Sequence, residues 1–436
     1  MLSGIPPHPR NGPALPPTPE SWLPQEHNLY RPRHSARQRT ALVCAIAFFL
    51  APALAFVLGV RAEPFENRKL NDFPSLADGW SFFTELSPWA TDHLPLREAG
   101  VEVADAVGTG LFGDPPGTQS GARSGTVGVQ PDQPESKQVV PRKLYPRVIS
   151  GKDDWLFLGE DVASKCFPVM DVGRTVAAFN KLRAAVESSG RKFVLVIAPN
   201  KTTMLPQYLP DDYVGKDCAA ARSREFWERV PTEAGAIDLR EPLRQTATQL
   251  GTDVYPTVDS HWNFAGGLTM TYAVAEQISP GITRTWQVEA SKLRTWPADL
   301  PRLLGRSEEW ELREYTLAPD GADDRTRYIA SDFKTPLRTQ QFGDPATGVY
   351  NGNVGVVADS FTQFASPFLA ATNRDLLIAH SDTVAQGSPE DIAKLLGDRD
   401  VVVFEFVERI VAHGGSSLLR DDVIDAIARA LADNPR

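Results

Sequence analysis

Cysteine is scarce in this chain, with three in 436 residues: Cys44, Cys166 and Cys218. Neither a disulfide scaffold nor a multi-cysteine zinc module can be built from so few. Positive charge is also in deficit, 45 Lys and Arg against 55 Asp and Glu, for a formal net charge of −10. A general nucleic-acid binder needs basic surface to meet phosphate, so no nucleic-acid partner is expected. Apolar residues at 42% and charged residues at 23% lie near the globular average, which excludes both wholesale disorder and a polytopic membrane protein. No internal repeat is present.

The charge deficit is uneven. Residues 1–61 hold six arginines and two glutamates, +4, so the remainder carries −14. Between the basic head and the acidic body lies Ala41 to Val60, ALVCAIAFFLAPALAFVLGV, without a charged residue. As a helix it spans about 30 Å, one bilayer core, and transmembrane helices tolerate a proline such as Pro52. Arg31, Arg33, Arg37 and Arg39 precede it and orient the N-terminus to the cytoplasm. The sequence therefore predicts a single-pass membrane protein with an extracytoplasmic body. A cleaved signal peptide is the competing reading, and the long leader and the length of the apolar run count against it. Cys166 and Cys218 are the body's two cysteines, and an oxidising compartment allows them to bond; two buried thiols are the alternative.

Composition divides the chain further. Residues 1–40 read as a disordered, Pro-rich cytoplasmic tail, 41–60 as the anchor and 61–113 as a membrane-proximal segment. Residues 114–142, rich in Gly, Pro, Ser and Gln, read as a flexible linker, and 143–436 as the folded domain. In that domain Val148 to Leu158 has a hairpin pattern around Gly151-Lys152-Asp153-Asp154. Lys192 to Ala198 (KFVLVIA) is an apolar run that suits a parallel strand covered on both faces. Strands are expected near 236–239, 354–357, 376–379 and 401–406, and helices at 173–189, 240–250, 263–278, 361–371, 389–397 and 420–434. This alternation predicts an α/β fold, a mostly parallel sheet flanked by helices, with ligands at the carboxyl ends of the strands.

Two constellations sit at such ends. In Asp259-Ser260-His261-Trp262-Asn263 an acid two residues before a histidine can hold imidazole Nδ1, and Asn263 can cap the next helix. In Val356-Val357-Ala358-Asp359-Ser360-Phe361-Thr362 a strand turns into a helix and exposes Ser360 above the sheet, its own N–H near the helix start. Together they offer a nucleophile, a base and an orienting acid. Separately, each reads as readily as a capped surface loop. A metal site on Asp259 and His261 would need two further ligands, and no other histidine shares a motif with them; no metal is expected. His380 follows a strand and could lie nearby.

In order along the chain, Phe65-Glu66-Asn67-Arg68-Lys69-Leu70, Asp92-His93-Leu94-Pro95-Leu96-Arg97, Gly151-Lys152-Asp153-Asp154-Trp155-Leu156-Phe157, Pro199-Asn200-Lys201, the Asp259–Asn263 block, Ala358-Asp359-Ser360-Phe361 and Glu405-Phe406-Val407-Glu408-Arg409 resemble the alginate O-acetyltransferase family of the AlgJ/AlgX type. That resemblance implies an SGNH-hydrolase-like domain with Ser360 as nucleophile, His261 as base and Asp259 as its orienter. It implies an acetyl group moved onto hydroxyls of an exported or cell-envelope polysaccharide, and a multi-pass, acetyl-exporting membrane partner as donor. No cofactor is expected, since no acetyl-CoA motif is visible. Ala358 stands where the family usually has glycine. An acetyl esterase with the same triad, or a non-catalytic polysaccharide-binding scaffold, remain alternatives. Asn200 and Lys201, at the end of the KFVLVIA strand, either donate to an oxyanion or a sugar hydroxyl, or cap the turn. Trp262 either stacks on a sugar or packs. Glu405, Glu408 and Arg409 read as a structural ion pair, and Asp92 to Arg97 as a structural clasp. The Trp-bearing stretch 283–345 reads as a lid, an acceptor groove or core packing.

Overall fold

The computed structural model describes residues 36–60, isolated positions between 73 and 93, and residues 142–329, 332–343 and 346–436. The chain divides into two units, Met1–Arg97 and Glu98–Arg436. In the first, a helix runs Ala36–Val57. It takes in residues 36–40, which composition grouped with the tail; Ala, Arg and Gln are good helix formers and extend the apolar segment backwards. Among the described residues, no helix is long and apolar enough to cross a membrane. Near it in sequence, Phe73 meets the Trp89 ring edge-on at 4.9 Å, and Trp89 stacks on His93 at 5.1 Å. Residues 1–35, the rest of 61–113, residues 114–141 and all of Asp92–Arg97 except His93 lie outside the described residues.

In the second unit a short 3-10 turn, Arg142–Leu144, is followed by a hairpin, β1 (Val148–Ser150) and β2 (Leu156–Leu158), with Val148 opposite Leu158. Asp153 and Asp154 both turn through positive φ, 52° and 61°, a conformation that Asp tolerates better than most residues. The central sheet uses β3 (Lys192–Ala198), β4 (Ile237–Asp238), β7 (Leu337–Gln340), β8 (Tyr350–Ala358), β9 (Asn373–His380) and β10 (Val401–Val407). Its order is β4-β3-β10-β8-β9-β7, parallel throughout except for the antiparallel edge β7. A two-stranded antiparallel ribbon, β5 (Gln287–Pro297) with β6 (Glu309–Ala318), stands apart from that sheet.

The near-continuous apolar runs follow from double coverage. Phe193, Leu195 and Ile197 of β3 join one core with Phe404 and Phe406 of β10 and the helices Val172–Glu187 and Asp421–Ala432. Val194, Val196 and Ala198 face the other core, with Val401 and Val403, under the helices Phe264–Ile278 and Thr362–Thr372. Each such side chain taken from water contributes about 1.5–3 kcal/mol, so neither face tolerates a polar residue without a partner. The expected α/β architecture is the one observed.

Of the alternatives for the stretch 283–345, packing is the one observed: its described residues form the β5–β6 ribbon and the edge strand β7. Trp286 is buried against Tyr272 at 4.7 Å, and Trp296 lies 5.4 Å from Phe364. Helix Lys216–Glu233 is present despite Pro231 near its end, and Cys218 on it is bonded to Cys166 at the end of helix Glu160–Cys166, Cα–Cα 5.2 Å. Finally, helices Phe264–Ile278 and Thr362–Thr372 approach so closely that a Cβ on Gly267 would collide with the carbonyl of Phe364. Glycine here sets the distance between the two segments that bear the site.

Candidate active site

The helix Phe264–Ile278 starts where Asn263 caps it, its Oδ1 accepting from the N–H groups of Ala265 at 2.9 Å and Gly266 at 3.2 Å. That cap fixes the loop just before it. There Asp259 folds back: its Oδ1 accepts from His261 N at 2.9 Å and lies 2.9 Å from His261 Nδ1. A carboxylate only accepts, so Nδ1 is the donor and Nε2 is left as an acceptor. Nε2 lies 2.8 Å from Ser360 Oγ. His261 and Asp259 are both buried, while Ser360 is partly exposed. Burial alone would lower the His261 pKa. The hydrogen bond and charge of Asp259, with the charge of Asp299, outweigh it and leave the imidazole raised.

Ser360 follows β8 directly. Its neighbour Asp359 points down into the fold: Oδ1 accepts from Phe361 N at 2.9 Å and Oδ2 from Val407 N at 2.6 Å, tying the elbow to the end of β10. Beneath it Glu405 Oε2 accepts from Asp359 N and from Thr362 Oγ, both at 3.0 Å. Burial, then the neighbouring Asp359 carboxylate, push the Glu405 carboxyl well up. Ala358 is the last residue of β8, buried, and is not among the described non-glycine residues at positive φ. The backbone there does not demand the glycine usual in the family.

Two readings left open in the sequence are decided, and His380 is placed. Trp262 is fully buried, its Nε1 donating to Phe361 O at 3.0 Å, with its ring edge-on to Phe361 at 5.0 Å. It presents no face to a sugar and instead ties the histidine loop to the serine elbow. Lys201 is fully buried and spends its three N–H bonds on the carbonyls of Leu156 (2.7 Å), Thr257 (2.9 Å) and Asp259 (3.1 Å). It has no donor left for an oxyanion or a hydroxyl; it holds the Asp259 backbone. Burial drives its pKa down to about 7. His380 does lie beside the elbow, in register with Ala358 across β8 and β9, and its Nδ1 caps helix Ser381–Ala385, accepting from Asp382 N at 3.1 Å.

Asn200 sits where expected, at the end of β3. Its N–H donates to Glu408 Oε2 at 2.9 Å, its Oδ1 accepts from Arg409 N at 3.2 Å, and its buried Nδ2 has no partner among the described residues. The ion pairs differ from the expected set. Glu408 bonds Lys165 at 2.6 Å and Arg409 faces Asp161 at 3.5 Å, while Glu405 joins no ion pair among the described residues and accepts from Asp359 N and Thr362 Oγ. Burial raises Glu408, but Lys165 and its hydrogen-bond donors outweigh that and hold it low.

One residue of the site carried no sequence signal. Asp299, the first residue of the short helix Asp299–Arg302 between β5 and β6, brings Oδ2 within 3.5 Å of His261 Nδ1. It belongs to no motif, and only its place at a helix start after Pro297 marks it. The three side chains Asp259, His261 and Asp299 converge to within 4.8 Å. Every carboxylate oxygen among them is engaged by a loop N–H, O–H or imidazole, and Nε2 faces a serine, so the donor set suits a hydrogen-bonded relay rather than a metal.

A hydroxyl, an imidazole and a carboxylate at the carboxyl edge of a parallel sheet form an acyl-transfer or hydrolase type of site that several α/β folds share. Residues 148–335, less than half of the chain, match the family model described as "SGNH hydrolase-like domain, acetyltransferase AlgX". The match includes Asp259, His261 and Asp299 and stops before Ser360. A probable alginate O-acetylase AlgJ of Pseudomonas syringae pv. tomato is 31% identical over 146 residues, 33% of this chain and 35% of that protein. The chain thus spans about a third of that relative's length. Among solved structures, the O-acetyltransferase domain of Pseudomonas putida AlgJ aligns at 17% identity and a TM-score of 0.42, covering 66% of this chain and 100% of that one. Pseudomonas aeruginosa AlgX aligns at 15% identity and a TM-score of 0.43, covering 68% and 69%.

Proposed function

We propose that this chain is a membrane-anchored O-acetyltransferase that moves an acetyl group onto hydroxyls of an exported or cell-envelope polysaccharide. The observation that carries this reading is the 2.8 Å contact of His261 Nε2 with Ser360 Oγ, with Asp259 on the opposite ring nitrogen. In the first half-reaction His261 takes the Ser360 proton as Oγ attacks the acetyl carbonyl. The donor's leaving group then departs with that proton, leaving an acetyl ester on Ser360. In the second, a sugar hydroxyl gives its proton to His261 and attacks the ester, and the proton returns to Ser360 Oγ. The candidate oxyanion donors are the Ser360 N–H and the Asn200 Nδ2, which is buried and has no partner among the described residues.

Anchoring rests on the uncharged run Ala41 to Val60 behind four arginines, with the N-terminus cytoplasmic and the domain outside. An outward site has no supply of cytoplasmic acetyl donor, so a multi-pass acetyl-exporting partner is part of the proposal. The test uses the full chain, an activated acetyl ester, and oligosaccharide present or absent. Acetylated sugar is expected, and Ser360→Ala should lower its formation by about 10⁴-fold. Acetate alone, with no sugar product, would make the chain an esterase. Equal activity in wild type and Ser360→Ala would remove the nucleophile from the reading.

A further inference from the structure

Asp299 grips the histidine loop at three points. Its Oδ1 accepts from Ser260 N at 2.8 Å, its Oδ2 accepts from Ser260 Oγ, and its own N–H donates to Asp259 Oδ2 at 3.3 Å. The Asp259 oxygen that does not face the imidazole is therefore satisfied by Asp299, and the residue between acid and base is pinned by the same side chain. The Asp299 carboxylate itself stands 3.5 Å from His261 Nδ1, against 2.9 Å for Asp259. One imidazole thus faces two acids. This arrangement is more than a loop anchor requires, since the Ser260 contacts alone would hold the turn.

We propose that Asp299 is a positioning residue for the Asp259–His261 pair, clamping their loop through Ser260 and setting a second negative charge beside the imidazolium formed when His261 accepts the Ser360 proton. The proposal rests on the Ser360–His261–Asp259 reading above. It assigns a purpose to the β5–β6 ribbon, which delivers Asp299 from an insert outside the central sheet. The charged groups facing this cluster are Asp259 and His261 from the loop, Lys201 from the helix after β3, and Arg409 from the helix after β10, whose charge lowers His261. Burial, then repulsion from Asp259, raise Asp299 to about 6. Protonation of Asp299 at low pH removes the second charge; when ionised, Asp299 raises His261.

The sign follows. His261 acts as base only when neutral, and an ionised Asp299 raises its pKa. Removing the charge lets His261 stay neutral to lower pH, and the acid limb of kcat/KM moves down. A neighbouring opposite charge moves a pKa by roughly 1–3 units, and sharing the imidazole with Asp259 leaves about 0.5–1 unit for Asp299. The weaker base should lower the plateau by up to about tenfold.

The experiment compares full-length wild type, Asp299→Asn and Asp299→Ala. It follows the pH profile of activated-ester hydrolysis and of Ser360 labelling by a serine-directed phosphonate, which needs no sugar acceptor. Asparagine can still accept from Ser260 N and donate to Ser260 Oγ, so Asp299→Asn should fold, keep the clamp, and shift the acid limb down by about 0.5–1 unit in both assays. Asp299→Ala should shift it likewise and lose roughly a further tenfold through the freed loop, since a small misplacement of reacting groups is costly. Wild-type limb and plateau in Asp299→Asn would overturn the proposal and leave Asp299 a structural anchor. A wild type that takes no phosphonate would overturn both the triad reading and the role built on it, so the two failures are distinguishable.

Discussion

Trp262→Phe separates packing from ligand recognition in a single substitution. The indole is fully buried and its N–H meets the Phe361 carbonyl at 3.0 Å. Phenylalanine keeps an aromatic ring in the slot but removes the donor. The Phe361 carbonyl then keeps a 3.3 Å contact from Phe364 N and loses its better partner, worth about 1–2 kcal/mol. The smaller ring leaves part of a close-packed volume empty, which adds about 1 kcal/mol. A loss of about 2–3 kcal/mol should lower the melting temperature by roughly 3–5 °C in a domain of this size. The bond also joins the histidine loop to the serine elbow, so kcat should fall while the acceptor KM stays unchanged. Calorimetry and acceptor kinetics on the same preparation check both. An unchanged melting temperature with a raised acceptor KM would refute the packing assignment and restore a sugar-facing tryptophan.

Gly267→Ala should also destabilise, by about 1–3 kcal/mol, although alanine is the better helix former, because its methyl group meets the Phe364 carbonyl. Forcing the two helices apart should lower the rate of Ser360 labelling by tenfold or more; a melting temperature above wild type would contradict this. For topology, a reporter fused after Arg436 should be active only outside the cytoplasm, and activity of a cytoplasm-only reporter there would reverse the proposed orientation.

What was legible in the sequence was local. KFVLVIA and VVVFEFV are strands because both faces are buried, and that leaves an unbroken apolar run that any reading of the chain meets. The Asp259–Asn263 block and the Ala358–Thr362 elbow are each a few residues long, and their chemistry is carried by neighbours in sequence: Asp259 two residues before His261, Asn263 at the cap, Ser360 at a strand end. The β5–β6 ribbon was not legible, because a two-stranded arm with charges along both strands lacks the clean alternation of a half-buried sheet.

The readings that the sequence left open, and the one residue it missed, share one cause. Lys201 stands beside Asn200 at a strand end, so proximity to the site suggested a ligand, but the carbonyls that consume its three donors come from residues 45, 56 and 58 positions away. Trp262 adjoins His261, yet its partner Phe361 is 99 positions on. Asp299, 39 positions from Ser260, was missed for the converse reason: it stands next to nothing chemical in sequence and next to everything in space. The residues that perform chemistry announce themselves by type and spacing, because acid, base and nucleophile must be of particular kinds. The residues that hold them in register are selected by where the fold delivers a donor or a charge, and any chain segment can deliver one. That is why the supporting side chains of this site, rather than its Ser, His and Asp, are where the structure adds most to the sequence.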